Sequence, residues 1–129
     1  MKKIFHVNGT TTPGGGPEHI FQLIKRLNQN EWEVVICTLK DGLYWEKFKS
    51  LNIKTYNLAL RIISLKTACK FFLILRKEKP DIIHTHGKGP GLYGRLIGSF
   101  LNIPVIHTFH GFHYQDIPFP TRWFHLAVE

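Results

Sequence analysis

Several common features are missing from this sequence, and each absence excludes a class of protein. Its 129 residues contain no apolar run of about 18, the length that a membrane-spanning helix needs. The first residues include two lysines but no long apolar core and no cleavage site, so we expect no signal peptide there. Cysteine is scarce: only Cys37 and Cys69 occur, without metal-binding spacing, which predicts a reduced, cytoplasmic protein.

Motifs of several well-known enzyme classes are also missing. The glycines after the first predicted strand fit neither GxGxxG nor the P-loop pattern GxxxxGK followed by Ser or Thr. No serine or cysteine has the surroundings of a nucleophile elbow, and nothing resembles a DNA- or RNA-binding module. We therefore expect neither a covalent nucleophile nor a nucleic-acid partner.

Acidic residues are few. The chain has 17 lysines and arginines against nine acidic residues, a net charge of +8. This charge suits an anionic partner, which could be nucleic acid, a phosphorylated sugar or a membrane surface, and does not by itself choose among them. Six of the basic residues lie in segment 61–79 with a single acid. This segment could lie on an anionic membrane, or it could be a sheet-packing helix with a basic outer face, and the alternation of elements favours the helix.

What the sequence does contain is a regular alternation of apolar strands and amphipathic helices. The patterns predict strands at 3–8, 32–39, 53–58, 81–85 and 103–108, and helices at 17–28, 43–51, 64–79 and 92–100, with a further helix beginning at 121–129. This order predicts a single α/β domain over residues 1–129, a doubly wound Rossmann-like sheet of five parallel strands in the order 3-2-1-4-5.

Polar loops follow the predicted strands one, four and five. In such sheets ligands bind beyond the carboxyl ends of the strands, at the point where the strand order reverses. That places the glycines of the long, flexible loop 9–17 beside the predicted loop 86–91, with His110 one strand further on. Gly111 would let a ligand approach the backbone next to His110, although a strand-end histidine can also simply bond to backbone.

Eight histidines raise the question of a metal site. His84 and His86 share a strand face, but no carboxylate lies near them in sequence, and Asp116 is the nearest to the cluster at His107, His110 and His113. We therefore expect neutral imidazoles that bond to sugar hydroxyls or phosphates, and no metal. The neighbouring groups that could bind a phosphate or sugar are Lys88, Tyr93, Arg95 and Arg122, each of which could instead be an ordinary surface residue.

Four segments together resemble the N-terminal domain of family 4 glycosyltransferases, which have the two-domain GT-B fold. They are 15–20, 80–87, 91–96 and 103–111, in the family's order, and they are similar to enzymes that build bacterial capsule, exopolysaccharide or lipid-linked glycans. The resemblance implies transfer of a sugar from a nucleotide-sugar donor to a glycan or lipid-linked acceptor, with retention at the anomeric carbon and without a cofactor. It also implies that this domain mainly holds the acceptor.

The resemblance assigns roles to individual residues. Gly15 and Gly16 would line the cleft near the donor phosphates and the acceptor, and His110 would contact the transferred sugar as the catalytic residue. The other substrate-binding candidates are His86, Gly87, Lys88, Tyr93, Arg95, Gly111 and Arg122. The family's C-terminal domain is absent from this sequence, so we expect the isolated chain to be inactive and to need that domain or a companion subunit.

Two other functions stay open. The chain could be a non-catalytic binding subunit of a split glycosyltransferase, or a module that docks on the inner face of a membrane. It could also be half of a sugar-nucleotide epimerase, which shares the fold. An epimerase needs a carboxylate in its cleft, and Glu18 and Asp116 are the nearby candidates.

Overall fold

The computed structural model describes residues 1–28 and 30–110 of the chain. Strands and helices alternate there, as the sequence predicts. The elements are β1 (Lys2–Asn8), α1 (Gly15–Arg26), β2 (Trp32–Thr38), α2 (Tyr44–Ser50), β3 (Lys54–Asn57), α3 (Leu65–Glu78), β4 (Ile82–His86), α4 (Lys88–Phe100) and β5 (Val105–Thr108). The helix predicted at 121–129 lies outside the described residues.

All five strands are parallel and lie in the order β3-β2-β1-β4-β5, which confirms the predicted topology. β1 and β4 are neighbours at the centre, and their register pairs His6 with His84 and Asn8 with His86. The chain reverses its direction of winding between these two strands, so their carboxyl ends form the switch point at which open α/β sheets bind ligands.

Two apolar layers cover the sheet, one on each face. Alternate residues of a strand point to opposite faces, so Ile4 packs under α1 and α2, whereas Phe5 packs under α3 and α4. Both layers are tightly buried, with Ile20 on the first side and Phe71 on the second fully inaccessible. The histidines at positions 6, 84 and 86 follow the same alternation and therefore lie on the α1 side.

The prediction of a loop at residues 86–91 is wrong, because residues 88–91 form the first turn of α4. The helix begins at Lys88, directly after Gly87, whose φ of 84° lies in the left-handed region that favours glycine. Pro90 fits this first turn because its fixed φ is helical and its missing N–H would have no partner there. Gly89 is needed for space: a Cβ would lie 2.3 Å from the carbonyl oxygen of Leu60.

Helical spacing predicts an apolar side of α4 formed by Leu92, Leu96 and Phe100, but this is not the side that packs on the sheet. Leu96 and Phe100 are 64% and 76% exposed. The helix instead approaches the sheet through glycines, since a Cβ on Gly94 would lie 2.2 Å from Cγ2 of Thr85, and one on Gly98 would lie 2.5 Å from Cγ2 of Val105. Helical spacing alone could not separate these two sides.

The loop after β1 is shorter and better anchored than predicted. Helix α1 begins at Gly15 rather than residue 17, and the remaining loop is fastened to the end of β2. Thr11 is fully buried, its backbone N–H donates to Oδ1 of Asp41 at 2.6 Å, and its hydroxyl donates to the carbonyl of Leu39 at 2.8 Å. These hydrogen bonds fix the position of the loop relative to the carboxyl edge of the sheet.

Glu78, the one acidic residue of α3, is buried at the opposite edge of the sheet. Its carboxylate bonds to Nζ of Lys54 at 2.6 Å, to Nζ of Lys3 at 3.2 Å and to the hydroxyl of Tyr56. Burial raises the pKa of this carboxyl, but the three hydrogen bonds outweigh it and lower the pKa to about 2. The outer surface of α3 is thereby left without a carboxylate.

None of the helices in the described ranges has both the length and the apolar character that crossing a bilayer requires.

Candidate functional site at the carboxyl edge of the sheet

The candidate site is the edge at which β1, β4 and β5 end and at which α1 and α4 begin. Asn8 pairs with His86, and His86 with Thr108, so the three strand ends lie level with one another. The predicted proximity of the triple glycine and His110 is confirmed, because a Cβ on Gly16 would lie 3.5 Å from Cδ2 of His110. Segments distant in sequence therefore share one rim.

An open cleft of about 480 Å³ lies between the loop after β1 and the start of α4. Six of the ten residues that line it have polar side chains, which can form hydrogen bonds to the hydroxyl or phosphate oxygens of a ligand. The polar side chains that line it are Asn8, Thr10, Thr12, Arg61, His86 and Lys88.

Two helix N-termini open on this rim. Gly14 precedes α1 and Gly87 precedes α4, and neither helix receives a hydrogen bond from a capping side chain within the described part of the chain. The first N–H groups of a helix have no intrahelical partner and carry partial positive charge, so they attract oxygen anions. A Cβ on Gly15 would meet no atom within 4 Å, so space is open beside the start of α1.

Five histidines from β1, α1, β4 and the end of β5 stand together beneath this rim. Three of them form a hydrogen-bonded row: Nδ1 of His6 lies 3.3 Å from Nε2 of His86, and Nδ1 of His86 lies 3.1 Å from Nε2 of His110. His84 stacks beside the row, with its ring centroid 4.2 Å from that of His86, and bonds to Oγ1 of Thr108 at 2.8 Å. His19 contacts His86 and His110 from α1.

Burial keeps the row uncharged. The pKa of His6 is lowered to about 3 and that of His84 to about 4. Burial is the main cause, and the repulsion of neighbouring histidines is the second. The same two causes lower the pKa of His86 far below its ordinary value and, more weakly, that of His110. These imidazoles are therefore neutral at pH 7, as the sequence predicts, and interact through hydrogen bonds rather than through charge.

The histidines at positions 6, 84 and 86 each offer a nitrogen within 4.8 Å of the others, so metal binding has to be considered. Among the described residues no carboxylate meets the same spacing. A divalent charge buried without an anion is costly, and the facing nitrogens of His6 and His86 already share a hydrogen bond. The cluster is better interpreted as a hydrogen-bonded network.

Two predicted binding residues lie away from the cleft. Tyr93 is 5% exposed and packs on Phe71; its hydroxyl donates to the carbonyl of Ile62 at 2.7 Å and accepts from the N–H of Ser64 at 2.7 Å. It anchors the segment before α3 and is not among the residues that line the cleft. Arg95 follows Lys88 by two helical turns, roughly 10 Å further along α4.

The other predicted binding residues fall into three groups according to where they lie. Gly87 and Lys88 line the cleft at the start of α4. His86 lies at its floor, only 1% exposed, with both ring nitrogens bonded to other histidines. Gly111 and Arg122 lie outside the described residues, as do His113 and Asp116.

Sequence reasoning missed several residues of this rim, including Asn8, Thr10, Thr12 and Arg61. It also missed His6 and His19. The sequence does point to His6, because it is a polar residue inside an apolar strand and the predicted order sets β1 beside β4.

His107 lies apart from the other histidines of this edge. It points to the other face of the sheet, where its Nδ1 lies 2.7 Å from Oγ1 of Thr85.

Comparison with known proteins now identifies the class. The sequence profile of Glycosyltransferase Family 4 matches residues 13–128. Over 56 residues the chain is 38% identical to UDP-Gal:alpha-D-GlcNAc-diphosphoundecaprenol alpha-1,3-galactosyltransferase from Escherichia coli, a match that covers 43% of this chain and 14% of that enzyme. The chain therefore belongs to glycosyltransferase family 4.

Solved structures share the fold. Anabaena HepE, solved in complex with UDP, has a TM-score of 0.74 at 16% identity over 99% of this chain and 34% of its own. MnaA from S. aureus, also solved with UDP, has a TM-score of 0.66 at 26% identity over 99% of this chain and 36% of its own. The chain thus spans about a third of the length of these structures.

The buried neutral histidines predict a loss of stability on acidification. An unfolded chain binds protons on His6, His84 and His86 near pH 6.5, whereas the folded chain does so only at much lower pH, so stability falls as the pH drops below about 6.5. The slope approaches about 1.4 kcal/mol per pH unit for each group. Urea unfolding between pH 7.5 and pH 5 measures it.

A His6→Phe variant should lose about a third of that slope, because one of the three groups is gone. Stability that stays constant between pH 7.5 and pH 5 in the unaltered chain would contradict buried neutral histidines.

Proposed function

We propose that this chain is the acceptor-side domain of a retaining glycosyltransferase. The enzyme moves a sugar from a nucleotide-sugar donor to a glycan or lipid-linked acceptor in the synthesis of a cell-surface polysaccharide. The observation that carries the proposal is the proximity of Gly16 to His110 at the carboxyl edge of the sheet, in a chain of family 4.

The carboxyl edge of the sheet supplies donors suited to sugar and phosphate oxygens. The backbone N–H groups of Gly15 and Gly16 sit at the start of α1, where a phosphate or hydroxyl oxygen can approach closely. His110 is the catalytic residue of the proposal, and its neutral imidazole stands beside the position of the transferred sugar. Such a site acts by positioning its reactants and by stabilising charge, without a covalent nucleophile, a metal or another cofactor.

The donor is a UDP-sugar in this proposal. HepE and MnaA were both solved with UDP, and the E. coli relative is named for UDP-Gal and for an acceptor that carries a diphosphate and a polyprenol. An acceptor of that class carries sugar hydroxyls, a diphosphate and a lipid. The hydroxyls and the diphosphate suit the polar cleft, whereas the lipid requires an apolar surface nearby.

A second domain completes the site in this proposal. The chain spans about a third of the length of the structures it resembles, and the cleft is open rather than enclosed. We infer that a further domain, in the same polypeptide or in a companion subunit, binds the nucleotide. Without it, the chain binds acceptor but transfers little sugar.

The epimerase alternative has less support. Glu18, one of its two candidate carboxylates, bonds to the hydroxyl of Tyr44 and to Nε2 of Gln22, with the latter bond 2.8 Å long. The hydrogen bond from Tyr44 leads the causes that lower the pKa of Glu18, which makes it a poor proton donor and a weakened base at pH 7.

Binding and transfer assays on residues 1–129 test this function. Calorimetry with a GlcNAc-diphosphate that bears a short lipid should show binding, and Gly15→Ala should weaken it at least about tenfold, a loss of roughly 1.4 kcal/mol, because the methyl occupies open space where the ligand approaches. Ser99→Ala, on the exposed far end of α4, is the control and should bind normally.

Labelled UDP-galactose added to the same mixture separates the alternatives. We expect no transfer above that of heat-inactivated protein. Robust transfer would contradict the need for a second domain, and absence of acceptor binding would contradict the acceptor role. Conversion of a UDP-sugar to its epimer without acceptor would establish the epimerase function.

An apolar face built by α3 and α4 supports docking on a membrane. A groove of about 430 Å³ runs between the two helices, lined by Ala68, Cys69, Phe72, Leu73, Leu96, Ile97 and Phe100. Leu65, Leu73 and Phe100 expose 82%, 63% and 76% of their surface. So large an exposed apolar area marks an interaction surface.

Charge supports an anionic bilayer as the partner of this face. The exposed surface of α3 carries Lys66, Lys70, Arg76 and Lys77, while its acid, Glu78, is buried and paired. Basic residues near an anionic surface contribute roughly 1 kcal/mol each, so four of them contribute roughly 4 kcal/mol. This arrangement would hold the domain as a peripheral protein on the inner, cytoplasmic face, next to a lipid-linked acceptor.

Vesicle sedimentation tests the docking face. The chain should bind vesicles containing phosphatidylglycerol and not vesicles of phosphatidylcholine alone, and Leu73→Glu should weaken binding by more than about tenfold, because it places a charge among the acyl chains. Leu43→Glu is the matched control, since Leu43 is 60% exposed and precedes α2 on the other side of the sheet. Equal loss in both variants, or binding to neutral vesicles alone, would contradict this surface.

A further inference from the structure

We propose that the row formed by His6, His86 and His110 fixes His110 in the tautomer that carries its proton on Nδ1. His86 is thereby a positioning residue, and His110 presents an N–H donor, not a basic lone pair, to the ligand. The claim about the tautomer stands on the geometry of the row. The claim about the ligand rests also on the proposed function.

The row allows only two arrangements of protons. A neutral imidazole has one N–H and one lone pair, so His86, bonded through both nitrogens, donates one bond and accepts the other. All protons in the row therefore point the same way, either inward from His110 to His6 or outward from His6 to His110. A doubly protonated His86 could donate both bonds, but it would place a charge in a site that is 1% exposed.

The inner end of the row decides between the two. Nε2 of His6 is buried and has no hydrogen-bond partner among the described residues. If the protons of the row point inward, Nε2 of His6 carries a buried N–H group that has no acceptor, and folded proteins avoid such groups strongly. With outward protons it carries a bare lone pair, which costs less. The geometry therefore favours outward protons.

The outward direction determines the chemistry of His110. Nδ1–H of His86 donates to Nε2 of His110, so the lone pair of Nε2 is used and the proton of His110 resides on Nδ1. The edge of His110 formed by Nε2 and Cδ2 faces Gly16 and His86. The opposite edge, which bears Nδ1–H, is left for a ligand oxygen.

The surroundings of the row are compatible with this arrangement. His84 lies outside the row because its Nε2 bonds to the hydroxyl of Thr108. His19 contacts the rings of His86 and His110, at centroid distances of 5.9 Å and 5.5 Å, without a hydrogen bond within the row. The row is thus a distinct unit inside the larger cluster.

Nitrogen NMR tests the tautomer directly. In the uniformly ¹⁵N-labelled chain at pH 7.5, two-bond proton correlations should show a protonated, pyrrole-type Nδ1 and an unprotonated, pyridine-type Nε2 for His110. A protonated Nε2 would overturn the proposal.

Three variants at neighbouring positions sharpen the test. His86→Leu should release His110 to a mixture of both tautomers, whereas His86→Gln, whose amide N–H₂ can still donate, should retain the Nδ1–H form. His19→Phe, which preserves a ring outside the row, should leave the tautomer unchanged. If His86→Leu does not fold, the unaltered chain and His19→Phe still decide the question, because a tautomer that followed His19 instead would refute the row.

Adding a ligand or a metal ion to the labelled chain distinguishes the tautomer from the ligand contact and from metal binding. Adding UDP-galactose or the short-lipid acceptor should shift the Nδ1–H resonance of His110; an unchanged resonance would remove the ligand contact, and so the proposed role of His110, but not the tautomer. Stoichiometric binding of Zn²⁺ with loss of the row's N–H signals would show metal ligands in place of a hydrogen-bonded row and would overturn the proposal.

Discussion

The parallel pairing of β1 with β4 is the constraint on which the site depends. It brings residues almost 80 positions apart in the chain into one register, His6 beside His84 and Asn8 beside His86. Because both strands are parallel, their carboxyl ends and the helices that follow them face the same edge. The cleft, the two helix N-termini and the histidine row all follow from this pairing.

Charge is distributed unevenly around this framework. Inside, burial keeps the histidines neutral, so the site under the rim interacts through hydrogen bonds and shape. Outside, the exposed lysines of α3 have no carboxylate of the same helix to offset their charge, because its one carboxylate is held between Lys3 and Lys54. In the proposed function, the neutral histidines at the carboxyl edge of the sheet and the positively charged, partly apolar flank on α3 together suit an acceptor that has both a sugar and a lipid.

The sequence was sufficient for the topology, because alternating apolar periods and right-handed crossovers leave few orders of strands. It predicted the convergence of Gly16, His86 and His110 for the same reason. It could not predict the start of α4 at Lys88, since glycine and proline ordinarily indicate a loop, nor that the glycines of α4 pack on the sheet. Tyr93 was misassigned because only packing shows that its hydroxyl bonds to backbone, and His6 was missed because its partners are distant in sequence.

The most direct test of the central claim is to map where a sugar acceptor binds on this chain. Backbone amide resonances can be followed while a soluble GlcNAc-diphosphate is added. The strand-end site predicts the largest changes at residues 8–16, at 86–88 and at His110, with little change at Lys3 or Glu78 on the opposite edge. Changes concentrated at that opposite edge, or in the groove between α3 and α4, would contradict it.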